Sequence, residues 1–406
     1  RLPESHFIFN SCKDTIMPKH IPHPRWLLFA LAVGGFAIGT TEFATMSVLP
    51  FMADGLGIDE PTAGHLISAY ALGVVAGAPL IAVLGARFSR RTLLLGLMLF
   101  FALAHIGTVM APDYRTMLLF RFLSGLPHGA YFGVGALVAA SMVPAGKRAQ
   151  AVGLMMLGLT VATTVGVPFT SWLAQAVGWR VVFAVVAVLA VLTVVLVARF
   201  LPKTRMQGGG GSPLKELSAL TNRQIWLTLS IGAIGFGGMF AIYTYMASTL
   251  TEVTGVSAKA VPLVLGLFGV GMTLGNLIVP RLAGKQPMLG VAGLLVWSAV
   301  MLALYPFAVH NIYYLCVLVV LIGMGGAIGT ILQIRLMDVA KDAQTLAAAL
   351  NHSAFNAANA LGPFLGGLAI SAGFGWASTG WVGCGLALAG LLMWWITVRD
   401  AKKHAG

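Results

Sequence analysis

Apolar residues in this chain come in twelve long runs, separated by short polar breaks and by one longer polar stretch near the middle. The runs fall at about 26–49, 62–84, 92–110, 116–141, 149–174, 179–201, 224–250, 260–282, 288–308, 312–334, 345–372 and 376–398. A bilayer core about 30 Å thick is crossed by about 20 residues of helix, and run after run meets that length. The pattern predicts an all-α membrane protein with twelve transmembrane helices.

The second six runs echo the first six. Trp26 opens the first and Trp226 the seventh, while Gly77 in the second is answered by Gly275 in the eighth. Gly166-Val167-Pro168 in the fifth is answered by Leu361-Gly362-Pro363 in the eleventh, and each proline is followed by a Gly-Trp pair, Gly178-Trp179 and Gly375-Trp376. The interval is nearly constant. An even number of spans per repeat gives both repeats one orientation, so the pattern implies two parallel six-helix pseudo-repeats around a midplane site, a transporter plan. The halves are expected at 26–201 and 224–398, joined by a cytoplasmic Gly-rich linker, 202–223, that contains Gly208-Gly209-Gly210-Gly211-Ser212. Residues 1–25 read as an N-terminal cytoplasmic segment whose natural start is Met17, and 399–406 as a cytoplasmic tail.

Composition excludes a soluble domain: 9% of residues are charged, 58% are hydrophobic, and the mean hydropathy is +0.89. The 50 glycines suit helices that associate in lipid through small residues. Cys12, Cys316 and Cys384 are too scattered for a disulfide framework or a metal site. The net charge of +13 suggests nucleic acid until its placement is considered. Lys and Arg cluster on alternate loops, at Arg87, Arg90 and Arg91, at Lys147 and Arg148, in the central linker and at both ends. The opposite loops hold Arg115, Arg180 and Lys259. By the positive-inside rule both termini are cytoplasmic, so the basic charge marks topology and no nucleic-acid partner is expected.

Specific stretches resemble a known family. Gly39-Thr40-Thr41-Glu42-Phe43 with Leu49-Pro50 in span 1, His65 through Gly73 with Gly77-Ala78-Pro79 in span 2, and Arg121 through Ala130 in span 4 are similar to the major facilitator superfamily. They resemble its twelve-span drug:proton antiporters, in the arabinose-efflux and chloramphenicol-efflux branch. Gly158 through Gly166 with Pro168 looks like the antiporter motif of span 5. Two departures stand out. Ala86 replaces the Asp that usually precedes the basic cluster Arg87-Phe88-Ser89-Arg90-Arg91, and the span 5 motif reads Gly-Val-Pro in place of Gly-Pro. The resemblance implies the major facilitator fold and a multi-pass protein of the bacterial inner membrane. It also implies a monomer whose partners are a small-molecule substrate and the lipid bilayer, with no cofactor beyond the proton gradient.

Few residues inside the spans can carry chemistry. Of the twelve acids only Glu42 sits well inside a run. An acid at the bilayer centre costs about 2.5–3.5 kcal/mol on insertion scales and is a functional candidate; desolvation penalises its charged form, so it can take up a proton. Arg121 is the one base within a run. Counted along their helices at 1.5 Å per residue, Glu42 and Arg121 lie about 10 Å and about 8 Å from the outer boundary, so they can share a depth. One reading has Glu42 exchange protons while Arg121 holds its deprotonated form; the other is a static pair, or separate hydrogen bonds, that fix helix packing. His128, two turns beyond Arg121 on the same face, relays protons, touches substrate or bonds a neighbouring helix. His65 reads as interfacial and His105 as packing.

His352, Asn356 and Asn359 form a polar stripe in span 11 that either binds substrate or joins helices. Tyr131, Thr164, Tyr243, Asn276 and Gln333 complete the expected substrate cavity, although backbone bonding explains the threonines as well. Gly166, Pro168, Gly362 and Pro363 are expected to bend their helices, or to pack closely, and with Arg87, Arg90 and Arg91 to take part in gating. These residues point to a secondary active transporter that exports small organic solutes, drug-like amphiphiles or sugars, by proton antiport. A proton-independent facilitator or importer on the same scaffold is the alternative. No nucleophile-base pair, metal cluster or phosphate loop suggests an enzyme.

Overall fold

The computed structural model describes residues 24–85, 88–144, 148–202, 218–283, 286–340 and 344–403. Arg87, residues 1–23 and most of the linker lie outside the described residues. Among the described residues, twelve helices are long and apolar enough to cross a membrane. In the first half they are α1 (Arg25–Ser47), α2 (Glu60–Ile81), α3 (Arg90–Met110), α4 (Tyr114–Ser141), α5 (Ala151–Val177) and α6 (Arg180–Phe200). The second half holds α7 (Arg223–Thr244), α8 (Ala258–Val279), α9 (Pro287–Ala308), α10 (Ile312–Ala340), α11 (Ala349–Phe374) and α12 (Trp376–Lys403).

The expected spans hold to within a few residues except where helix and apolar run part company. Helix α10 continues past the apolar run to Ala340 and takes in Arg335 and Asp338, because backbone bonding persists where side chains reach the membrane boundary. Helix α1 stops earlier than expected, at Ser47. Val48 turns the chain, and a short helix, Leu49–Leu56, starts with Pro50 in its first turn, where a missing N–H costs no bond. Gly57, at φ 66°, closes that helix in the left-handed region. The seventh run, expected as one helix over 224–250, breaks after Gly235 and at Tyr245, then ends in a π-helical turn, Thr249–Val253.

The two proline sites behave differently. A π-helical turn, Ala162–Gly166, precedes Pro168 in α5 and accommodates the lost backbone bond. The helix Gln344–Ala369 carries Pro363 inside it without a π-helical turn, and the irregular turn of α11 comes later, at Ile370–Phe374. Gly362 serves close packing: a Cβ there would lie 2.8 Å from the backbone nitrogen of Ala241 in α7.

Pseudo-symmetry is visible at single contacts. A Cβ on Gly73 or Gly77 of α2 would strike the carbonyl oxygens of Phe122 or Leu126 in α4. In the second half, Gly271 and Gly275 of α8 meet Val320 and Met324 of α10 in the same way. From the facing helices, Gly125 approaches the Tyr70 carbonyl and Gly323 that of Phe268. Backbone-to-backbone contact of this kind stands in for the hydrophobic effect that lipid does not supply.

The halves meet along α2 with α11 and α5 with α8. At the end away from the chain termini, Phe43 lies 6.1 Å from Phe240 and 5.8 Å from Tyr243, ring to ring. There too the Ser248 hydroxyl donates to Glu60, Gln175 Nε2 donates to the Ala258 carbonyl at 2.9 Å, and Tyr245 packs over Gly64. At the end that carries the termini, each half is tied internally. Arg91 donates to the Ala198 carbonyl at 2.7 Å, and Arg223 pairs with Asp400 at 3.0 Å. Arg91 therefore joins α3 to α6 within the first half, and no gating contact of Arg90 or Arg91 with the second half is described.

Replacing Gly77 or Gly275 by Val will force these helices apart and cost about 2 kcal/mol or more each. Gly96, which faces open space, will accept Val with little change. Thermal unfolding of the three variants in one detergent checks the ranking.

Candidate functional site

Burial sorts the polar residues of the spans. Arg121 has no exposure at all, and Glu42 keeps 7%. Position along α1 places Thr41 and Glu42 about 100° apart around the helix, so consecutive side chains face different partners. Thr41 faces the first half. Its hydroxyl oxygen accepts from Arg121 Nη1 at 3.0 Å and lies 2.8 Å from His105 Nε2. Glu42 faces α11, where Asn359 Nδ2 donates to its Oε1 at 3.4 Å.

The expected Glu42–Arg121 ion pair is therefore absent from this state. The single salt bridge among the described residues joins Arg223 and Asp400. Arg121 instead spreads its contacts over the first half, with Nε toward the Leu66 carbonyl at 3.5 Å and the guanidinium carbon 4.5 Å over the Tyr70 ring and 5.4 Å from that of Phe183. Neutral acceptors and aromatic faces replace the carboxylate, which bonds across the seam between halves.

Tyr70 links Arg121 to His128, since its hydroxyl lies 2.9 Å from His128 Nδ1 while its ring carries the guanidinium. Beyond His128 the second half is reached again: the His128 and His352 rings are 6.1 Å apart, and Phe132 stacks on His352 at 5.1 Å and 4°. The sequence reading missed Tyr70 and Thr41. Each was marked only as a polar side chain inside an apolar run, Thr41 directly before the acid. It also gave His105 a packing role, whereas the histidine is the third member of the Arg121–Thr41 chain.

The amide stripe of α11 is buried where it meets the seam. Asn356 and Asn359 are nearly inaccessible, and their Oδ1 atoms have no protein partner; nor does the Tyr243 hydroxyl of α7. Buried polar atoms left unpaired are costly and mark a place where a solute or water can bond. Tyr243 sits among aromatic rings, 4.4 Å from Phe268 and 5.8 Å from Phe43, and Phe236 of α7 lies 4.7 Å from Phe355, the residue before Asn356 in α11.

Other expected cavity residues have hydrogen-bond partners within their own half. Tyr131 is buried inside the first half, where its hydroxyl donates to the Leu31 carbonyl at 2.8 Å and its ring tip lies against Gly34, so it does not line the seam. The absence of a side chain at Gly34 of α1 leaves the room that the tyrosine tip fills. Thr164 returns its hydroxyl to the Thr160 carbonyl, the backbone bonding anticipated for the threonines. Asn276 accepts from Thr330 at 2.8 Å, and Gln333 accepts from Asn351 at 2.6 Å. Both bonds stay within the second half. Gly166 packs against Thr40 and Phe36 of α1.

Twelve membrane-spanning helices in two parallel halves, with an acid, a guanidinium and several amides buried at or beside the seam, have the architecture of a membrane carrier. The chain belongs to the Major Facilitator Superfamily, whose family profile matches residues 31–295 and 284–406. It is a multi-pass membrane transporter with efflux-type relatives. It is 40% identical over 379 residues to the inner membrane transport protein YdhP of Escherichia coli (strain K12), covering 93% of this chain and 97% of that one. A chloramphenicol resistance protein of Streptomyces lividans is 34% identical, covering 83% and 87%. Among solved structures, a bacterial homologue of the human lysosomal transporter Spinster, inward-facing and unoccupied, shares the fold with a TM-score of 0.69 at 16% identity, over 93% of this chain and 97% of that one.

Arg121→Ala removes a buried guanidinium and leaves Thr41 and Leu66 without their donor, so it will destabilise the protein by about 2–5 kcal/mol. Arg115→Ala, at an exposed position of the same helix, will stay within about 0.5 kcal/mol of the parent. Unfolding midpoints in detergent compare the two.

Proposed function

We propose that this transporter exports small, uncharged or weakly amphipathic organic solutes in exchange for protons, by alternating access of its two halves, from a bacterial inner membrane in which both termini face the cytoplasm. The observation that carries the reading is the bond from Asn359 to Glu42: the one acid deep in the spans of the first half is tied to the second half. A charged carboxylate accepts a stronger hydrogen bond than a neutral one. Protonation of Glu42 therefore weakens the tie between α1 and α11 and shifts the balance between access states. Arg121 supplies the positive charge that receives the carboxylate once Glu42 gives up its proton in the other access state. Tyr70 and His128 extend the polar path from Arg121 toward His352 in the second half, a route for relaying protons.

The lining suits the solute class. Free amide oxygens of Asn356 and Asn359 and the Tyr243 hydroxyl bond polar substituents, while Phe43, Phe240 and Phe268 hold an apolar body. A single embedded acid favours uncharged cargo over multiply charged cations. The chloramphenicol resistance protein among its relatives points to the same class. Each elementary charge that moves down the membrane potential contributes about 2.3 kcal/mol per 100 mV, sufficient for uphill export over repeated cycles.

Reconstitution in liposomes with an imposed pH gradient tests the exchange, with a panel of neutral solutes that includes chloramphenicol. The parent protein will couple solute movement to proton release. Glu42→Gln will abolish the coupling, and Asn359→Leu will lower it about tenfold or more. Solute movement that is indifferent to a protonophore and unchanged by Glu42→Gln would replace this reading with a facilitator on the same scaffold.

A further inference from the structure

The contacts around Thr41 fix the direction of every hydrogen in a four-member chain. A carbonyl oxygen only accepts, so His105 Nδ1, 2.8 Å from the Phe101 carbonyl, carries a proton and donates it. In a neutral imidazole the other nitrogen is then an acceptor. His105 Nε2 therefore takes the hydrogen of the Thr41 hydroxyl at 2.8 Å. With its hydrogen directed at the histidine, Thr41 Oγ1 presents its lone pairs to Arg121 Nη1 at 3.0 Å, and a guanidinium only donates. The order runs from cation to carbonyl without a conflict: Arg121 to Thr41, Thr41 to His105, His105 to Phe101. All three side chains are fully buried.

That chain has a consequence for the carboxylate one residue away. Arg121 lies within charge-interaction range of Glu42, but its guanidinium is engaged with the neutral Thr41 while Glu42 is bonded to Asn359. We infer that Thr41 and His105 form a dock for the Arg121 guanidinium, which holds it away from Glu42 while Glu42 is bonded to Asn359 and so sets how readily the carboxylate takes up a proton. This rests on the proton-carrying role proposed above for Glu42. The dock is built for a neutral histidine, since a second proton on His105 would take away the acceptor of the Thr41 hydrogen and set a second buried cation beside Arg121. The titratable groups around it are Arg121 from α4, Glu42 from α1 and, across the guanidinium, Tyr70 from α2; α6 contributes the Phe183 ring, 6.3 Å from His105. His105 and Thr41 are accordingly positioning residues. They act on the proton through Arg121.

Infrared titration of the full-length protein in liposomes tests the dock without any substrate, by following the protonated-carboxyl band that Glu42→Gln removes. Thr41→Val and His105→Leu each destroy the dock and free Arg121 to favour the charged carboxylate. The band will then be lost at a pH lower by about 1 unit, as for a carboxylate gaining an adjacent guanidinium. Both variants break one chain, so the double variant will shift the titration no further than either single one. Thr41→Ser, which keeps the hydroxyl, will restore the parent titration. An unchanged titration in Thr41→Val, or additive shifts in the double variant, overturns the inference even where Glu42→Gln removes the band. If Glu42→Gln removes no band, the proton-carrying role of Glu42 fails first and the dock fails with it. A histidine that merely packs would change the unfolding temperature and leave the titration where it was.

Discussion

A guanidinium with no solvent exposure, inside a bundle that has no water to offer, must find every acceptor within the protein. Arg121 meets that demand with contributions from four other helices: the Thr41 hydroxyl from α1, the Leu66 carbonyl and Tyr70 face from α2, the Phe183 ring from α6, and His105 of α3 behind Thr41. Burying such a group without partners would cost several kcal/mol. The helices of the first half are therefore held at mutual positions that satisfy one side chain. The glycine contacts between α2 and α4 place Tyr70 close enough to serve, because Gly125 meets the Tyr70 carbonyl directly.

The second half has the same backbone and different chemistry. Its α8–α10 contacts repeat those of α2–α4 glycine for glycine, yet Val319 stands at the position of Arg121, Phe268 at that of Tyr70 and Gly326 at that of His128. Close helix approach is a requirement of packing in lipid, so both repeats keep it. Among the described residues, a guanidinium buried between the spans is a cost that only the first repeat carries. What the second half offers at the seam is uncharged, Asn356, Asn359 and Tyr243, and it offers more polar atoms than the protein itself satisfies.

Much of this was legible in the residues. Helix number, pairing of the halves and the choice of Glu42, Arg121 and the α11 amides follow from apolar length, repeat interval and the rarity of polar side chains in the runs. Which of these groups touch was not legible. Depth along a helix places Glu42 and Arg121 at one level, but the 100° between Thr41 and Glu42 decides which of them meets the guanidinium, and rotation about the helix axis cannot be read from depth. Tyr131 shows the same limit, being polar-tipped and near the middle of α4 but turned into the half's own core, where Gly34 of α1 leaves room for its tip. Likewise Pro363 has the sequence context of Pro168, yet the π-helical turn precedes Pro168 directly in α5 and lies beyond Pro363 in α11.

The missing Glu42–Arg121 pair is what makes coupling between the halves physically reasonable. Protonation shifts a conformational balance only by the difference in its interaction with the two states. If the acid bonded to Arg121 alone, in every state, both partners would ride on the same rigid half, and a proton would change nothing between the halves. A carboxylate shared in alternation between an arginine of its own half and an asparagine of the other supplies that difference. The strength of the Asn359 bond depends on the charge of Glu42, and the availability of Arg121 depends on whether Thr41 holds it. In the proposed cycle, rocking of the halves and loading of a proton are two descriptions of one exchange of hydrogen bonds, centred on two consecutive residues of α1.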